Sequence, residues 1–298
     1  MYYNPYEHVQ SSGEWLKSNF HTHAGIGPDT CGAYDIDDVL SLYQEAGYRA
    51  LCISNHDILS GMTDYQSRYD MVLLPGFEYS QDLHMLCIGV ENMLWGTHQE
   101  VIHQCNQEKA LCILAHPNWQ RKEYWPWETI DALHGYIGIE IFNSLVFRLK
   151  GSGLATDTWD YLLSQGKRVW GFAHDDFHRW YDMAKAWNVM HVTDRTPEGV
   201  IASVKKGAFY ASTGLILHEI DFQRDQISIR AGAKDSYIQD YLYRFISKGG
   251  KILTEQTGSQ GKYRLRGDEL YVRIQVVSEH GAMLWTQPLY RLDAFHSP

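Results

Sequence analysis

Short apolar runs that close on a histidine or a carboxylate recur along this chain, and that recurrence constrains its fold more than any single motif. Residues 49–54, 71–74, 111–115, 138–142 and 168–173 are β-like in composition. They run out into Asn55-His56-Asp57, Glu78, His116, Asn143 and His174-Asp175-Asp176-Phe177-His178. Residues 84–90 begin with their polar residue, His84, so this strand is expected to run the opposite way or to present His84 at its start. Helical patterns lie between the runs. Residues 35–48 place Ile36, Val39, Leu40 and Tyr43 at the 3.6 period with acidic residues in the first turn. Residues 97–109 start at an N-cap threonine, Thr97, and residues 127–134 and 158–165 follow. Thr196-Pro197 opens another helix that Gly207 stops. Repeated βα units wind right-handedly into an open sheet or a closed barrel. No Gly-rich phosphate fingerprint follows the first strand, and the polar residues come from the ends of nearly every strand. That favours a barrel, whose reactive face is the one where strands end.

After Gly214 the pattern changes to short alternating runs, at 227–230, 241–246, 262–265 and 270–276, separated by glycines. This reads as a small antiparallel β module over residues 215–298, appended to a barrel domain over 1–214.

Composition narrows the function classes. Lys and Arg total 26 against 36 Asp and Glu, a formal charge of −10, which argues against duplex nucleic acid or an anionic membrane as partner. The N-terminus has neither a basic nor an apolar leader region, and no long apolar run occurs, so an unexported cytoplasmic protein is expected. Five cysteines without framework spacing fit free thiols in a reducing compartment. Cys52, Cys87 and Cys112 sit inside apolar runs, and Cys31 and Cys105 belong to no C-x-x-C pair.

His21 and His23, one residue apart, point the same way on an extended backbone and form one edge of a metal site. Collected in order, the polar residues at strand ends are His21, His23, Asp29, His56, Glu78, His84, His116, Asp176 and His178. Six histidines and three carboxylates suffice for more than one ion, and the nitrogen and oxygen mix suits Zn, Mn or Fe.

The segments HTHAGIGPD, ISNHD, PGFEYS with HMLCIG, AHPNW, GIEIFN and GFAHDDFH resemble the ordered signature of the polymerase and histidinol phosphatase (PHP) superfamily over residues 18–180. The resemblance implies an α/β fold, a distorted seven-stranded (β/α) TIM-like barrel, with two or three divalent metal ions and hydrolysis of phosphoesters. It implies that His21 and His23 hold one ion with Glu78 and Asp176, and that Glu78 bridges to a second ion bound by His84 and His116. A third ion falls to Asp29, His56 and His178. Asn55 stands where the family often has Asp, and Asp29 where one branch often has His.

Divalent ions in such a pocket offset its carboxylates, attract an anionic phosphate and make bound water acidic enough to attack phosphorus. Asp57, His174 and Asp175 are candidates for orienting imidazoles or moving protons. Arg121, Asn143, Arg148 and Arg179, just beyond strand ends, are candidates for contacting a small phosphorylated substrate. The same site is also compatible with a carbamate, lactone or organophosphate ester as substrate, or with a non-catalytic metal- or carbohydrate-binding role.

Overall fold

The computed structural model describes residues 1–7, 9, 12–27, 30–119, 124–233 and 240–295. Strands β1 (Tyr2–Tyr3), β2 (Glu14–Asn19), β3 (Ala50–Cys52) and β4 (Val72–Leu74) are followed by β5 (Gly76–Tyr79), β6 (Met85–Ile88), β7 (Leu111–Leu114), β8 (Gly138–Asn143) and β9 (Trp170–His174). Helices α1 (Ile36–Glu45), α2 (Thr63–Gln66), α3 (His98–Gln107), α4 (Trp127–Ala132) and α5 (Thr156–Ser164) fall between them. Next come β10 (Trp187–Val192), α6 (Pro197–Lys206) and β11 (Phe209–Ser212). The chain finishes in strands β12 (Ile216–Gln223), β13 (Gln226–Gly232), β14 (Tyr241–Ser247), β15 (Lys251–Gly258), β16 (Gly261–Arg264), β17 (Tyr271–Val277), β18 (Met283–Thr286) and β19 (Leu289–Arg291).

Local chemistry explains the helix ends. Asp35 caps α1 by accepting from the Asp37 amide, and α3 starts in a capping box in which Thr97 and Glu100 serve each other's backbone amides. Gly207 closes α6 in the left-handed region at φ 70°. No helix among the described residues is long and apolar enough to cross a membrane.

The strands form three sheets, and none closes into the seven-stranded barrel expected from the βα pattern. One runs β1-β19-β17-β18-β11-β10-β2-β3-β4, with β14 added on β17 and β15 on β14; a second is β5-β6-β7-β8-β9; the third is β12-β13-β16. Two features separate the first two sheets. Pro75, which has no amide to give a ladder, stands between β4 and β5, and the chain changes sheet there. β10, which the sequence pattern did not reveal, pairs antiparallel with β2, whose other edge takes β3, so no edge of β2 is left for β9. The two sheets meet instead through isolated bridges, Thr22 with Phe177 and His56 with Glu78, both parallel, and Ser60 with Gly76, antiparallel.

β6 is antiparallel to β5 and β7, whereas β7-β8-β9 are parallel. The reversal puts the start of β6 beside the C-terminal ends of its neighbours, which is why His84 reaches the face where the other strands finish. Residues beyond Gly214 contribute β14, β15, β17, β18 and β19 to the sheet that also contains β2. A buried ion pair ties them to α5: the Asp160 carboxylate accepts from Arg273 Nε at 2.7 Å and Nη2 at 2.6 Å, and from the Tyr271 hydroxyl at 2.8 Å.

Candidate metal centre

The segment after β2 and the segment after β9 lie side by side. The His23 amide donates to the Phe177 carbonyl at 2.9 Å, and the Phe177 amide to the His21 carbonyl at 3.4 Å. The His21 and His23 rings, on one side of an extended backbone, therefore face Asp176, and all three side chains are buried. Asp176 adopts φ 53° and His116 φ 32°, left-handed values uncommon for residues with a side chain. Each lies just past a strand end where the chain must turn sharply to aim its side chain inward.

Four buried atoms converge here without a well-formed hydrogen bond among the described residues, His21 Nε2, His23 Nε2, Glu78 Oε2 and Asp176 Oδ1, although Glu78 Oε2 also ion-pairs with His56 Nδ1 at 2.8 Å. Each nitrogen lies 3.2 Å from Asp176 Oδ1 and 3.4 Å from Glu78 Oε2. Unpaired polar atoms in a dry interior cost roughly 1–3 kcal/mol each, so a cluster of four needs a reason. A tetrahedral cation held at about 2.0–2.1 Å separates its donors by about 3.3–3.4 Å, and the nitrogen–oxygen separations of 3.2 and 3.4 Å here are close to that. The residues fit a divalent ion.

Glu78 faces a second group with its other oxygen. Oε1 is 2.9 Å from His84 Nδ1 and 3.1 Å from His116 Nε2, so the carboxylate stands between two sets of histidines as a bridging ligand requires. At the mouth, His23, Cys31, His56 and His178 bring donor atoms within 4.8 Å of one another. Asp29, expected in this group, lies outside the described residues.

The sequence reading missed Glu140. Its Oε1 accepts from His21 Nδ1 at 2.7 Å and faces His174 Nδ1 at 2.8 Å, while Oε2 accepts from the His116 amide at 2.7 Å and from Asn143 Nδ2 at 2.9 Å. A carboxylate behind an imidazole fixes the tautomer and turns the far nitrogen toward the ion. The signal was a lone charge inside the apolar run Gly138–Asn143, a position tolerated only with partners. A register shift between Glu140 and Phe142 brings Glu140 and Asn143 to the same side of β8.

The electrostatics follow from burial and from these neighbours. For His21, burial favours the neutral ring, but the carboxylates of Asp176, Glu140 and Glu78 outweigh it and hold its pKa well above the ordinary value. His56 is raised to about 10, because its interactions with the Cys31 sulfur and the Glu78 carboxylate as acceptors outweigh burial. Burial would raise Glu78 and Asp176, yet the facing histidines, His21 foremost, hold both well below the carboxylate range. Among the described residues, the ion-pair partners of Glu78, Asp176 and Glu140 are all histidines. A negative field of this kind protonates imidazoles when no cation is present.

Other expected residues stand elsewhere. Asp175 does not join the cluster: its carboxylate accepts from the amides of Ala184, Lys185 and Ala186 at 2.7–2.9 Å and from the Tyr43 hydroxyl at 2.9 Å, which leaves nothing to orient an imidazole. Asp57 accepts from the Ser80 amide at 2.9 Å and Gln81 Nε2 at 2.8 Å, bracing the segment after Glu78. His174 is buried behind the cluster on Glu140, and burial lowers its pKa. Asn143 was expected to touch substrate; it is buried, and its amide donates to Glu140 and, at 3.1 Å, to Asp176 Oδ2. The Arg148 guanidinium pairs with both oxygens of Asp182 at 2.8 and 2.9 Å, and Asp182 in turn accepts from the His178 amide at 3.2 Å. Arg179 is exposed, and Arg121 lies outside the described residues.

A cavity of about 220 Å³ opens onto the cluster, lined by His56, Glu78, His84, His116, Asp176 and His178 together with Trp119, Leu145, Val146 and Leu149. Fold and site together define a mixed α/β protein with a buried, histidine-rich centre suited to divalent cations. Neither a protein-family model nor a curated protein matches the sequence. Among solved structures, a two-domain protein from Bacteroides vulgatus ATCC 8482, described as containing a predicted PHP-like metal-dependent phosphoesterase, superposes with a TM-score of 0.56 at 13% identity, over 93% of this chain and 96% of that one. The likeness establishes a shared fold.

Proposed function

We propose that the chain is a metal-dependent phosphoesterase acting on a small phosphorylated compound, with two or three divalent ions held at the histidine-rich centre. The observation that carries this reading is a buried set of four donor atoms in which each of two imidazole nitrogens lies 3.2 Å from one carboxylate oxygen and 3.4 Å from another. The shared fold with a protein described as a PHP-like phosphoesterase supports the choice of bond.

His21, His23, Glu78 and Asp176 would hold one ion, Glu78 with His84 and His116 a second, and His56 with His178 would contribute to a third. Bound divalent ions supply Lewis-acid polarisation of a phosphoryl oxygen and water acidic enough to lose a proton near neutral pH. Glu140 fixes His21 through Nδ1, and Asn143 holds Asp176 through Oδ2, so that Nε2 and Oδ1 face forward. Trp119, packed edge-on against His84 and His116, and Leu145, Val146 and Leu149 supply the apolar part of the cavity lining, which limits bulk water beside the donors. The cavity is smaller than the roughly 300–1,000 Å³ typical of drug-sized ligands, in keeping with a compact ester whose remainder projects from the mouth.

Metal analysis of protein purified without chelator, followed by a phosphate-release screen with Zn, Mn and Fe, tests this. Metal-dependent phosphate release that a chelator abolishes is expected. Turnover of carbamates, lactones or aryl acetates without phosphate release moves the site to carbonyl chemistry, and full metal occupancy with no turnover leaves a binding protein.

A further inference from the structure

The loop after His23 returns to the centre in a way that the metal reading above leaves unused. Thr30 Oγ1 donates to the Gly25 carbonyl at 2.7 Å and the Gly25 amide to the Tyr34 carbonyl at 2.8 Å, closing the loop on itself. Gly32 packs so closely that a Cβ there would lie 2.7 Å from the Ala24 backbone. The loop is thus seated against the chain it left, and the residue before Gly32 is delivered to the histidines: Cys31 Sγ lies 3.2 Å from His23 Nδ1.

The rings around that sulfur are arranged for a ligand. His23 Nε2 is one of the four unpaired atoms facing Glu78 and Asp176, so this ring is committed there and presents Nδ1 to the sulfur. His178 Nδ1 is bonded to the Asp176 carbonyl at 3.0 Å, and His56 Nδ1 lies 2.6 Å from Ser80 Oγ and 2.8 Å from Glu78 Oε2. Both rings have their near nitrogen occupied, the arrangement in which the far nitrogen binds metal. The His23 ring stacks on that of His178 at 4.2 Å and lies 4.6 Å from that of His56, which gathers the three imidazoles about the Cys31 side chain.

We infer that Cys31 is a thiolate ligand at the third metal position, together with His56 and His178, with His23 Nδ1–H donating to its sulfur. This rests on the reading of the cluster as a metal centre. On binding, the thiol proton leaves to solvent and the sulfur lone pair forms the bond to the ion. A thiolate among imidazoles shifts selection toward zinc, and toward Fe²⁺ or Co²⁺, and away from Mn²⁺ and Mg²⁺. The centre is therefore not uniform: the positions built on Glu78 use nitrogen and oxygen, whereas the mouth position uses nitrogen and sulfur.

Titration of the metal-free protein with Co²⁺ tests the assignment. Ligand-field absorption in the visible reports cobalt on the histidines, and a separate near-ultraviolet charge-transfer band reports a sulfur–cobalt bond. The expected result is both signals in the parent protein and loss of the charge-transfer band alone in Cys31→Ser. That variant is also expected to bind one fewer zinc ion, with affinity at that position lowered by more than roughly 100-fold, beyond the range for losing a partner behind a ligand. Alkylation of the unsubstituted protein gives a second readout that needs no variant: Cys31 is exposed, the other cysteines are buried, and zinc should protect Cys31 at least about tenfold. Visible bands without the charge-transfer band, persistence of that band in Cys31→Ser, or equal alkylation with and without zinc overturns the assignment and leaves the metal centre intact. Failure of cobalt to bind at all overturns both.

Discussion

Two clusters of buried charge in this molecule are built from similar parts and solve the problem of burial differently. At the contact between α5 and the C-terminal strands, the Asp160 carboxylate has both oxygens taken by Arg273 and Tyr271. At the strand ends, Asp176 and Glu78 each keep one oxygen with no hydrogen bond, and His21 and His23 each keep one nitrogen so. The contrast is sharper still between neighbours in the chain. Asp175 saturates its carboxylate with three backbone amides and braces a turn, while Asp176 leaves Oδ1 open toward two imidazoles. A carboxylate with both oxygens hydrogen-bonded holds a fold together; open carboxylate oxygens 3.2–3.4 Å from open imidazole nitrogens suit a cation.

The comparison makes predictions of graded size. Asp176→Ala should lower metal affinity by more than roughly 100-fold and abolish metal-dependent hydrolysis while melting remains cooperative; its neighbour Asp175→Asn should leave metal content unchanged and cost about 1–3 kcal/mol of stability, read by calorimetry. If Asp175→Asn strips the metal instead, the division between the neighbours is wrong. Arg273→Ala should cost roughly 3–5 kcal/mol, because Asp160 is left charged and buried, with the folded fraction keeping its metal. For the same reason, truncation after Gly214 should give a chain that does not fold, since it removes this partner and the strand beside β11. Glu140→Gln should act more gently, lowering metal affinity by about 10- to 100-fold through misoriented His21 with little change in melting; loss of the fold would assign Glu140 to the structural class.

The smallest effect is a pH dependence confined to the metal-free protein. Glu78 and Asp176 are depressed, so their contribution to stability is complete above the unfolded carboxylate values, about 4–4.5, and is lost as the pH falls. His21 and His56 are raised, so theirs is complete below the ordinary value of 6.5 and is lost as the pH rises toward about 10, the value for His56. Asp175, raised by burial to about 6, acts in the same sense as the histidines. The metal-free protein should thus melt at a lower temperature at about pH 9 than at about pH 6, and zinc, which needs the rings deprotonated, should remove the difference. An unchanged difference with zinc bound would place the titrating groups outside the centre.

Much of the site was legible because each residue closes a run of its own. His21, His23, His56, Glu78, His84, His116, Asp176 and His178 stand at run edges, where strand direction alone sends them to one face, and the structure gathers them there. The pairing of sheets was less legible. β10 has an unremarkable composition, and only its register against β2 shows that it takes the edge a closed barrel would need. Asn143 and Arg148 read as substrate contacts because their positions were visible and their partners, Asp176 and Asp182, were not. Cys31 read as a free thiol, which it is, but its place beside His23 was not legible because nothing in the local sequence says that Gly32 seats the loop against Ala24.

Anomalous diffraction from crystals of protein prepared without chelator tests the central claim most directly. With data collected above the zinc edge, a peak should lie about 2.0–2.2 Å from His21 Nε2, His23 Nε2, Glu78 Oε2 and Asp176 Oδ1. A well-ordered cluster with no peak, its four atoms hydrogen-bonded to one another or to water, would contradict the account.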